Sequence, residues 1–288
     1  MYSPLQALSS YWLAILISSV VAASLAILGM HLAARDRSVQ TLCVTQGSMF
    51  GVLIALGIGG YFHENFFTTS IMPLIGAFVF ANVTYKISEK FIAGKLASKN
   101  TVLVAIFAIL ISFCQLASAL FPSLESHMTQ KFFGDLATIA NKELILILIV
   151  SVAVAVLLIK NWKDFSCESF DLALFGRAGI FGGRQIDPRI FQISSFVLIC
   201  ISVQAMGFLF TTGALLIPTT IQGVIRSRGL WRHHVSVAIL ASSATFIGFS
   251  LSIMSGKLPT VPTIIFIMTI LGYPVLRLLS RSPLVAEV

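Results

Sequence analysis

The chain has 288 residues, of which 57% are hydrophobic and only 10% are charged, and its formal net charge is +8. A soluble domain would carry about a quarter charged residues, so the composition excludes an ordinary soluble fold and predicts one membrane-embedded domain over residues 1–288. The positive charge does not point to a nucleic-acid partner, because the basic residues lie in loops between apolar runs, the pattern of a membrane protein.

Nine apolar runs follow one another along the chain. A helix of roughly 20 apolar residues crosses a bilayer core about 30 Å thick. The runs cover residues 11–30, 41–62, 67–84, 101–121, 143–159, 190–206, 208–225, 234–254 and 260–277. The sequence therefore predicts an all-α, polytopic transmembrane helical bundle with about nine spans, or eight. No Lys or Arg precedes the first run, so we expect a retained helix there and not a cleaved signal peptide.

The basic residues also predict the orientation of the bundle. All but three of the nineteen Lys and Arg residues fall in alternate gaps between runs or in the C-terminal tail, the exceptions being Lys131, Lys142 and Lys257. Because basic loops resist translocation, this alternation places the N-terminus outside and the C-terminus in the cytoplasm.

The stretch 190–225 contains 36 residues without a charge. A straight helix of this length would extend about 54 Å, too far for one crossing, so the stretch must turn back. The residues predicted to form a turn or a broken helix are Gly207, Thr211, Thr212 and Gly213. Pro218 weakens the helix that returns. Non-helical backbone at membrane depth is tolerated where it lines a cavity, so this segment is a candidate for a transport pathway; a plain helical hairpin is the alternative.

Ionisable residues are missing from the interiors of the nine runs. Asp, Glu, Lys, Arg and His occur only at run ends, as Glu143, His234 and Arg277. Ion-coupled transporters use such residues as relays within the membrane. The chain therefore either transports with energy from another subunit or is a passive membrane scaffold. The four cysteines have no CxxC spacing, and no disulfide framework is predicted.

Four short stretches occur in an order that resembles a known family. They are Phe133-Gly134-Asp135-Leu136, Phe170-Asp171 with Gly179-Ile180, the segment from Gly207 to Pro218, and Leu258-Pro259-Thr260. The resemblance as a whole covers about residues 25–275. In this order they resemble the permease subunits of bacterial ABC importers for zinc, manganese and iron.

The resemblance implies a set of partners. A separate cytoplasmic ABC ATPase would bind ATP and Mg²⁺, so this chain would hold no cofactor and would not itself be an enzyme. An extracytoplasmic solute-binding protein would deliver the ion. A second permease copy, most simply the same chain as a homodimer, would complete the pathway in the lipid bilayer of the bacterial inner membrane.

One departure from the family concerns the expected metal ligands. Family members carry an Asp and a His four residues apart at the start of the second helix, on one helical face. The aligned positions here are Leu42 and Gln46. Leucine cannot bind a metal, and the glutamine carbonyl is a weak, neutral ligand better suited to hard ions. Two alternatives therefore stay open: a degenerate permease that serves a structural or regulatory role, and a transporter of a neutral solute.

Polar residues in two apolar runs are candidates for the pathway lining. They are Thr45, Gln46, Ser48, Thr211, Thr212, Pro218 and Thr219. Hydrogen bonding between neighbouring helices is the alternative role of such residues. Outer metal candidates are His63, Glu64 and Asp135, because His and carboxylate groups suit zinc or manganese; ordinary solvation at the membrane surface is the alternative.

The loop from Lys160 to Arg189 is predicted to form a short helix and a turn on the inner surface. The resemblance implies that it contacts the ATPase. The residues assigned to this coupling loop are Glu168, Phe170, Asp171, Phe175 and Gly179. The two carboxylates near the start of the helix would favour its dipole, and Gly179 would allow a sharp exit. The alternative is an ordinary solvated loop.

Overall fold

A computed structural model describes residues 4–59, 71–94, 97–121, 124–134, 141–175, 188–223 and 230–280. Within these ranges the chain forms eleven α-helices and no β-strand, which confirms the all-α fold class. The helices are α1 (Pro4–Ala34), α2 (Ser38–Gly59), α3 (Met72–Ala93), α4 (Lys99–Leu120), α5 (Leu124–Phe133), α6 (Asn141–Lys160), α7 (Trp162–Phe175), α8 (Pro188–Met206), α9 (Phe208–Gly223), α10 (Leu230–Ser255) and α11 (Thr260–Ser280).

Nine of these helices coincide with the nine predicted apolar runs, and the other two lie in polar loops. Helix α5 follows α4, and α7 is the short helix predicted after Lys160. By length and composition, five helices of the described chain can cross a bilayer, and α6 together with α7 makes a sixth candidate that bends by 71°. The chain is thus a multi-pass helical membrane protein, while the count of nine spans and the orientation stay predictions.

Helix α1 lies at the centre of the bundle. It contacts α2, α6, α7, α8, α9 and α10, and Val21, Leu25 and Leu28 have no exposed surface. A helix that is apolar on all sides belongs in such an interior position. At Gly29 the backbones of α1 and α9 are in contact, because a Cβ atom there would lie 2.0 Å from the carbonyl oxygen of Leu215.

Helices α2 and α3 approach each other through glycine. A Cβ atom at Gly51 would lie 2.2 Å from the carbonyl oxygen of Gly76, and one at Gly47 would lie 2.2 Å from Oγ1 of Thr84. The four-residue spacing of Gly47 and Gly51 places both on one helical face. Small residues at such positions let helix backbones meet closely, which is how helices associate in membranes.

Gly207 separates α8 from α9 and packs against Gly134, the residue that follows α5. Gly207 has a φ of +89° and Gly134 a φ of +77°, conformations that only glycine adopts without strain. A Cβ atom at Gly207 would lie 2.7 Å from Cα of Gly134. Nearby, Nζ of Lys131 donates a 2.6 Å hydrogen bond to the carbonyl of Gln204 in the last turn of α8, where a cation is favourable. The predicted interruption at Gly207 is confirmed.

The prediction of turn residues beyond Gly207 is wrong. Thr211, Thr212 and Gly213 lie inside α9, which continues through Pro218. Gly213 serves packing instead, because a Cβ atom there would lie 3.0 Å from the side chain of Ile265 on α11. The threonine hydroxyls donate to carbonyls one turn earlier in α9, so they are satisfied by helical backbone.

We expect Gly51→Ala to destabilise the protein, because the added methyl group meets the backbone of α3, which cannot move aside cheaply. Overpacking of this kind costs about 1–3 kcal/mol. Gly57→Ala is the matched control on the same helix, since its Cβ atom would meet only the flexible side chain of Leu124, at 3.2 Å. Thermal unfolding in detergent measures the difference, and equal midpoints for the two variants would contradict the close contact of α2 with α3.

Candidate functional site

The polar residues predicted on α2 are buried inside the bundle. Thr45 and Ser48 have no exposed surface, and Gln46 is 1% exposed. The hydroxyl of Thr45 donates to the carbonyl of Thr41 at 2.7 Å, so its polarity is satisfied within its own helix. Ser48 lies beside the thiol of Cys200 on α8.

Gln46 lines a cavity of about 470 Å³ between α2, α4 and α5, which we call the Gln46 cavity. Its other lining residues are Ile111, Cys114, Gln115, Ser118, Ala119, Glu125, Met128, Thr129, Phe132 and Phe133. Nε2 of Gln46 lies 3.4 Å from Sγ of Cys114, while Oε1 has no hydrogen-bond partner among the described residues. A buried amide oxygen without a partner is costly, which points to a water molecule or a ligand at this position.

The Gln46 cavity combines donor groups of different chemical character. The amide oxygen of Gln46 and the exposed carboxylate of Glu125 suit hard cations, and the thiol of Cys114 suits softer ones such as zinc. Gln115 on α4 lines the same cavity. The cavity can therefore hold a cation or a small polar solute, and only Gln46 of its residues was predicted as a site residue.

The predicted pathway residues on α9 lie away from the Gln46 cavity. Thr211, Thr212, Pro218 and Thr219 are buried in the helix, and none of them lines the Gln46 cavity. Thr219 donates to the carbonyls of Leu215 and Leu216, so all three threonine hydroxyls bond to their own helix. The α9 candidates therefore lie outside the cavity that Gln46 lines, and their role in a pathway stays a prediction.

A buried ion pair joins α7 to the end of α1. The guanidinium of Arg35 lies 3.1 Å from Glu168, and the two side chains are 6% and 14% exposed. Nε of Arg35 donates to Oγ of Ser169 at 3.0 Å, and its Cζ atom lies 3.9 Å from the ring centre of Phe191 on α8. We call Arg35, Glu168, Ser169 and Phe191 the Arg35 cluster.

Burial lowers the pKa of Arg35 from its ordinary value, and the Glu168 carboxylate opposes this shift. An arginine stays protonated at neutral pH even so. Taking the two charges out of water is costly, and removing either partner leaves the other uncompensated. The Arg35 cluster is therefore a contact that holds α7 against α1 and α8.

The predicted coupling residues on α7 face the bundle where their side chains are described. Glu168 belongs to the Arg35 cluster, and Asp171 is 2% exposed. A surface contact with an ATPase would have to use the other face of α7, where Lys163 is exposed. The side chains of Phe170 and Phe175 lie outside the described part of the structure, as does Gly179, so their role stays a prediction.

Two histidines, His31 and His234, are in contact next to Phe191 of the Arg35 cluster. Nε2 of His31 on α1 lies 3.3 Å from Nε2 of His234 on α10, and the two rings are 2% and 5% exposed. The ring of His31 also meets Phe165 and Phe191 edge-on, with centroids 6.1 Å apart in both cases. His234 lies at the end of an apolar run in the sequence, and its ring is buried because it packs where α1 and α10 meet.

The outer metal candidates His63, Glu64 and Asp135 all lie outside the described residues. Within the described ranges, no group of three or more His, Cys, Asp or Glu side chains could hold one metal ion. The described ranges therefore contain no complete metal centre of these side chains, and the Gln46 cavity is the site that includes a predicted pathway residue.

The side-chain contacts that join helices far apart in the sequence were not predicted. Arg35 and Glu168 are 133 positions apart, and His31 and His234 are 203 positions apart. The sequence signals were modest: His31 directly follows the first apolar run, and Cys114 precedes Gln115 in the fourth run. Neither signal identifies its partner, because partners are set by how helices pack.

Comparison with known proteins supports a transport fold. The model of the family described as the ABC 3 transport family matches residues 9–277. The structure of PsaBC from Streptococcus pneumoniae in complex with Fab matches with a TM-score of 0.76 at 15% identity, over 96% of this chain and 98% of that one. The inward-facing structure of a transporter described as metal-chelate type matches with a TM-score of 0.64 at 17% identity, over 97% of this chain and 89% of that one. No curated relative matches the sequence.

We expect Arg35→Met to loosen α7, because the Glu168 carboxylate loses the charge that compensates its burial. Breaking a buried pair costs about 3 kcal/mol or more. The unfolding midpoint should fall, and Cys167, which is partly exposed on α7, should react faster with a maleimide. Adding Glu168→Gln should restore part of the loss, since no unpaired charge then remains.

Lys163→Gln is the control, because Lys163 is exposed on the same helix. If Arg35→Met leaves both the midpoint and the labelling rate of Cys167 at the values of this control, the Arg35 cluster does not hold α7.

Proposed function

Because the chain belongs to the ABC 3 transport family, the family that its ordered motifs resemble, we propose that it is the membrane-spanning permease subunit of an ATP-driven importer. The family match over residues 9–277 carries this proposal. The substrate that we propose is a divalent metal ion, zinc or manganese. A separate cytoplasmic ABC ATPase binds and hydrolyses ATP with Mg²⁺, so the chain itself is not an enzyme.

The proposed assembly sits in the bacterial inner membrane as a dimer of permease copies. An extracytoplasmic solute-binding protein delivers the ion to the outer face. The nine apolar runs cross the membrane with the N-terminus outside, an orientation supported by the basic residues in alternate loops. In this orientation the Arg35 cluster and α7 lie at the cytoplasmic end, where an ATPase can reach them.

The Gln46 cavity is the proposed place where the ion enters the bundle. The unpartnered Oε1 atom of Gln46 and the nearby Cys114 supply oxygen and sulfur donors, and Glu125 lines the same space. These groups replace the Asp and His pair of other family members. A neutral carbonyl holds a cation less tightly than a carboxylate, which favours release over tight binding during transport.

The Arg35 cluster is the proposed mechanical link between ATP hydrolysis and transport. Asp171 and Glu168 act from the inner face of α7, by fixing the helix to the bundle, while its other face meets the ATPase. Because Arg35 joins α7 to α1 and α8, a displacement of α7 must move the central helix of the bundle. That helix contacts α2, which carries Gln46.

One observation favours a second function. Position 42 carries Leu, and position 46 carries a neutral residue. A permease that has lost ion transport and serves as a structural or regulatory subunit would tolerate both changes. A neutral-solute transporter is the third candidate, since Gln46 and Ser48 could hydrogen-bond an uncharged ligand.

The deciding experiment isolates the chain in mild detergent from cells that produce it at natural levels. We expect a P-loop ATPase to copurify, and its ATP hydrolysis in proteoliposomes to rise when zinc or manganese is added together with the solute-binding protein. Copurification without stimulation by either metal would support the structural subunit. Uptake of an uncharged organic solute into proteoliposomes by the chain purified without an ATPase would support the neutral-solute transporter.

Gln46→Leu should lower metal-stimulated ATP hydrolysis roughly tenfold, the effect of losing about 1.4 kcal/mol of binding, because it removes the free carbonyl from the cavity. Thr45→Val is the matched control on the same helix, since the Thr45 hydroxyl bonds to its own backbone. Equal rates of metal-stimulated ATP hydrolysis in the two variants would show that Gln46 does not line the pathway.

The double substitution Leu42→Asp and Gln46→His should raise the affinity for zinc, because it restores two ligands on one face of α2. The measurement is the zinc concentration that gives half-maximal ATP hydrolysis. A lower concentration is expected if the pathway still carries cations. No response to zinc in the double variant would instead favour the structural subunit.

A further inference from the structure

A groove of about 320 Å³ lies over α1, between the corner of α6 and α7 on one side and α10 on the other. We call it the tryptophan groove. Its lining residues are Ala23, Ile27, Leu158, Ile159, Trp162, Trp231, His234, Val235, Ala238, Ile239 and Ser242. Apart from His234 and Ser242 these side chains are hydrocarbon or aromatic, so the groove suits an apolar chain.

The helices that border the groove present apolar surface outward. On α6 the exposed residues follow helical spacing along one stripe: Ile145, Ile149, Val152, Val156 and Ile159. On α10 a similar stripe consists of Trp231, Val235, Ile239 and Phe246. Exposed hydrocarbon on both borders is what lipid-facing helices carry, so the groove opens toward the bilayer.

The end of the groove near α7 is aromatic and basic. The rings of Trp162 and Trp231 lie with centroids 5.6 Å apart, and tryptophan is the residue that membranes favour at the level of lipid headgroups. Lys160, Lys163 and Arg232 are exposed within two positions of these tryptophans. Nζ of Lys163 lies 5.8 Å from the ring centre of Trp162.

The charge at this end of the groove is net positive. Asp164, at the start of α7, is the acidic residue that accompanies the three basic ones in the described segments 158–164 and 230–242. Phospholipid headgroups with a negative charge are attracted by such clusters next to a membrane span. The same cluster disfavours a second copy as the occupant, because a two-fold interface would bring the three basic residues against themselves.

We propose that the tryptophan groove binds one anionic phospholipid, with an acyl chain over Ala23 and Ala238 and the phosphate beside Lys160, Lys163 and Arg232. The tryptophan pair marks the boundary between chain and headgroup. The site is separate from the Gln46 cavity and does not depend on which ion is transported. Since Trp162 begins α7 and His234 contacts His31, a bound lipid would support the corner from which α7 leaves the bundle.

The chain offers a direct test, because it has three tryptophans and two of them line the groove. Trp12, on α1, is 56% exposed and outside the groove. In the Trp12→Phe variant, fluorescence reports only Trp162 and Trp231. The protein is placed in two kinds of lipid nanodisc. The first contains mostly phosphatidylcholine and a small share of phosphatidylglycerol with brominated acyl chains. The second contains mostly phosphatidylglycerol and the same small share of brominated phosphatidylcholine. Bromine quenches a tryptophan on contact.

Brominated phosphatidylglycerol should quench the Trp12→Phe variant roughly threefold to fivefold more strongly than brominated phosphatidylcholine, because basic residues enrich the anionic lipid. Lys160→Gln, Lys163→Gln and Arg232→Gln together should abolish this preference. Ala238→Phe, which fills the groove, should reduce quenching by both lipids. In the matched control that keeps only Trp12, with Trp162→Phe and Trp231→Phe, the two lipids should quench equally.

Three outcomes would overturn the proposal. Equal quenching by the two lipids in the Trp12→Phe variant would mean that the tryptophans merely face the bilayer. The same preference in the variant that keeps only Trp12 would mean that the whole protein attracts anionic lipid. Absence of quenching by either lipid would mean that protein covers the groove. None of these outcomes bears on ATP hydrolysis, so failure here is distinguishable from failure of the proposed function.

Discussion

Close backbone contact between helices is the constraint on which the bundle depends. In a bilayer, apolar side chains gain little by leaving lipid for another helix, so packing and hydrogen bonds must hold the helices together. Gly29 brings α1 against the backbone of α9, and Gly51 brings α2 against Gly76 of α3. A side chain at these positions would separate the helices that carry the central core and the Gln46 cavity.

Polar side chains inside the bundle must find hydrogen-bond partners within the protein, because the membrane interior offers no water. Most hydroxyls in the apolar helices donate to carbonyls one turn earlier, as Thr45 and Thr211 do, so their donor groups are satisfied within the helix. Gln46 differs because its amide reaches across to Cys114 on α4. The carbonyl oxygen of Gln46 is one of a few buried side-chain atoms in the described residues that have no hydrogen-bond partner, and the proposed pathway is built around it.

Charges are concentrated at the end of the bundle where α1, α7 and α8 meet. Arg35 compensates Glu168 there, stacks on Phe191 and holds α7 in place. Nearby, His31 and His234 join α1 to α10, and the tryptophan groove opens next to the start of α7. The helix proposed to receive work from an ATPase is therefore connected to the central helix by an ion pair and bordered by the proposed lipid site.

The sequence by itself determined the helical class, the positions of nine apolar helices, the short helix after Lys160 and the interruption at Gly207, because hydrophobic runs and glycine act locally. The ordered motifs also identified the transport family. Only the tertiary structure decided that Gly213 packs against Ile265 and does not form a turn, that Glu168 points to Arg35, and that Gln46 meets Cys114. Those outcomes depend on which helical faces meet, and in a chain that is apolar on nearly every face, the pattern of hydrophobic residues carries little information about that choice.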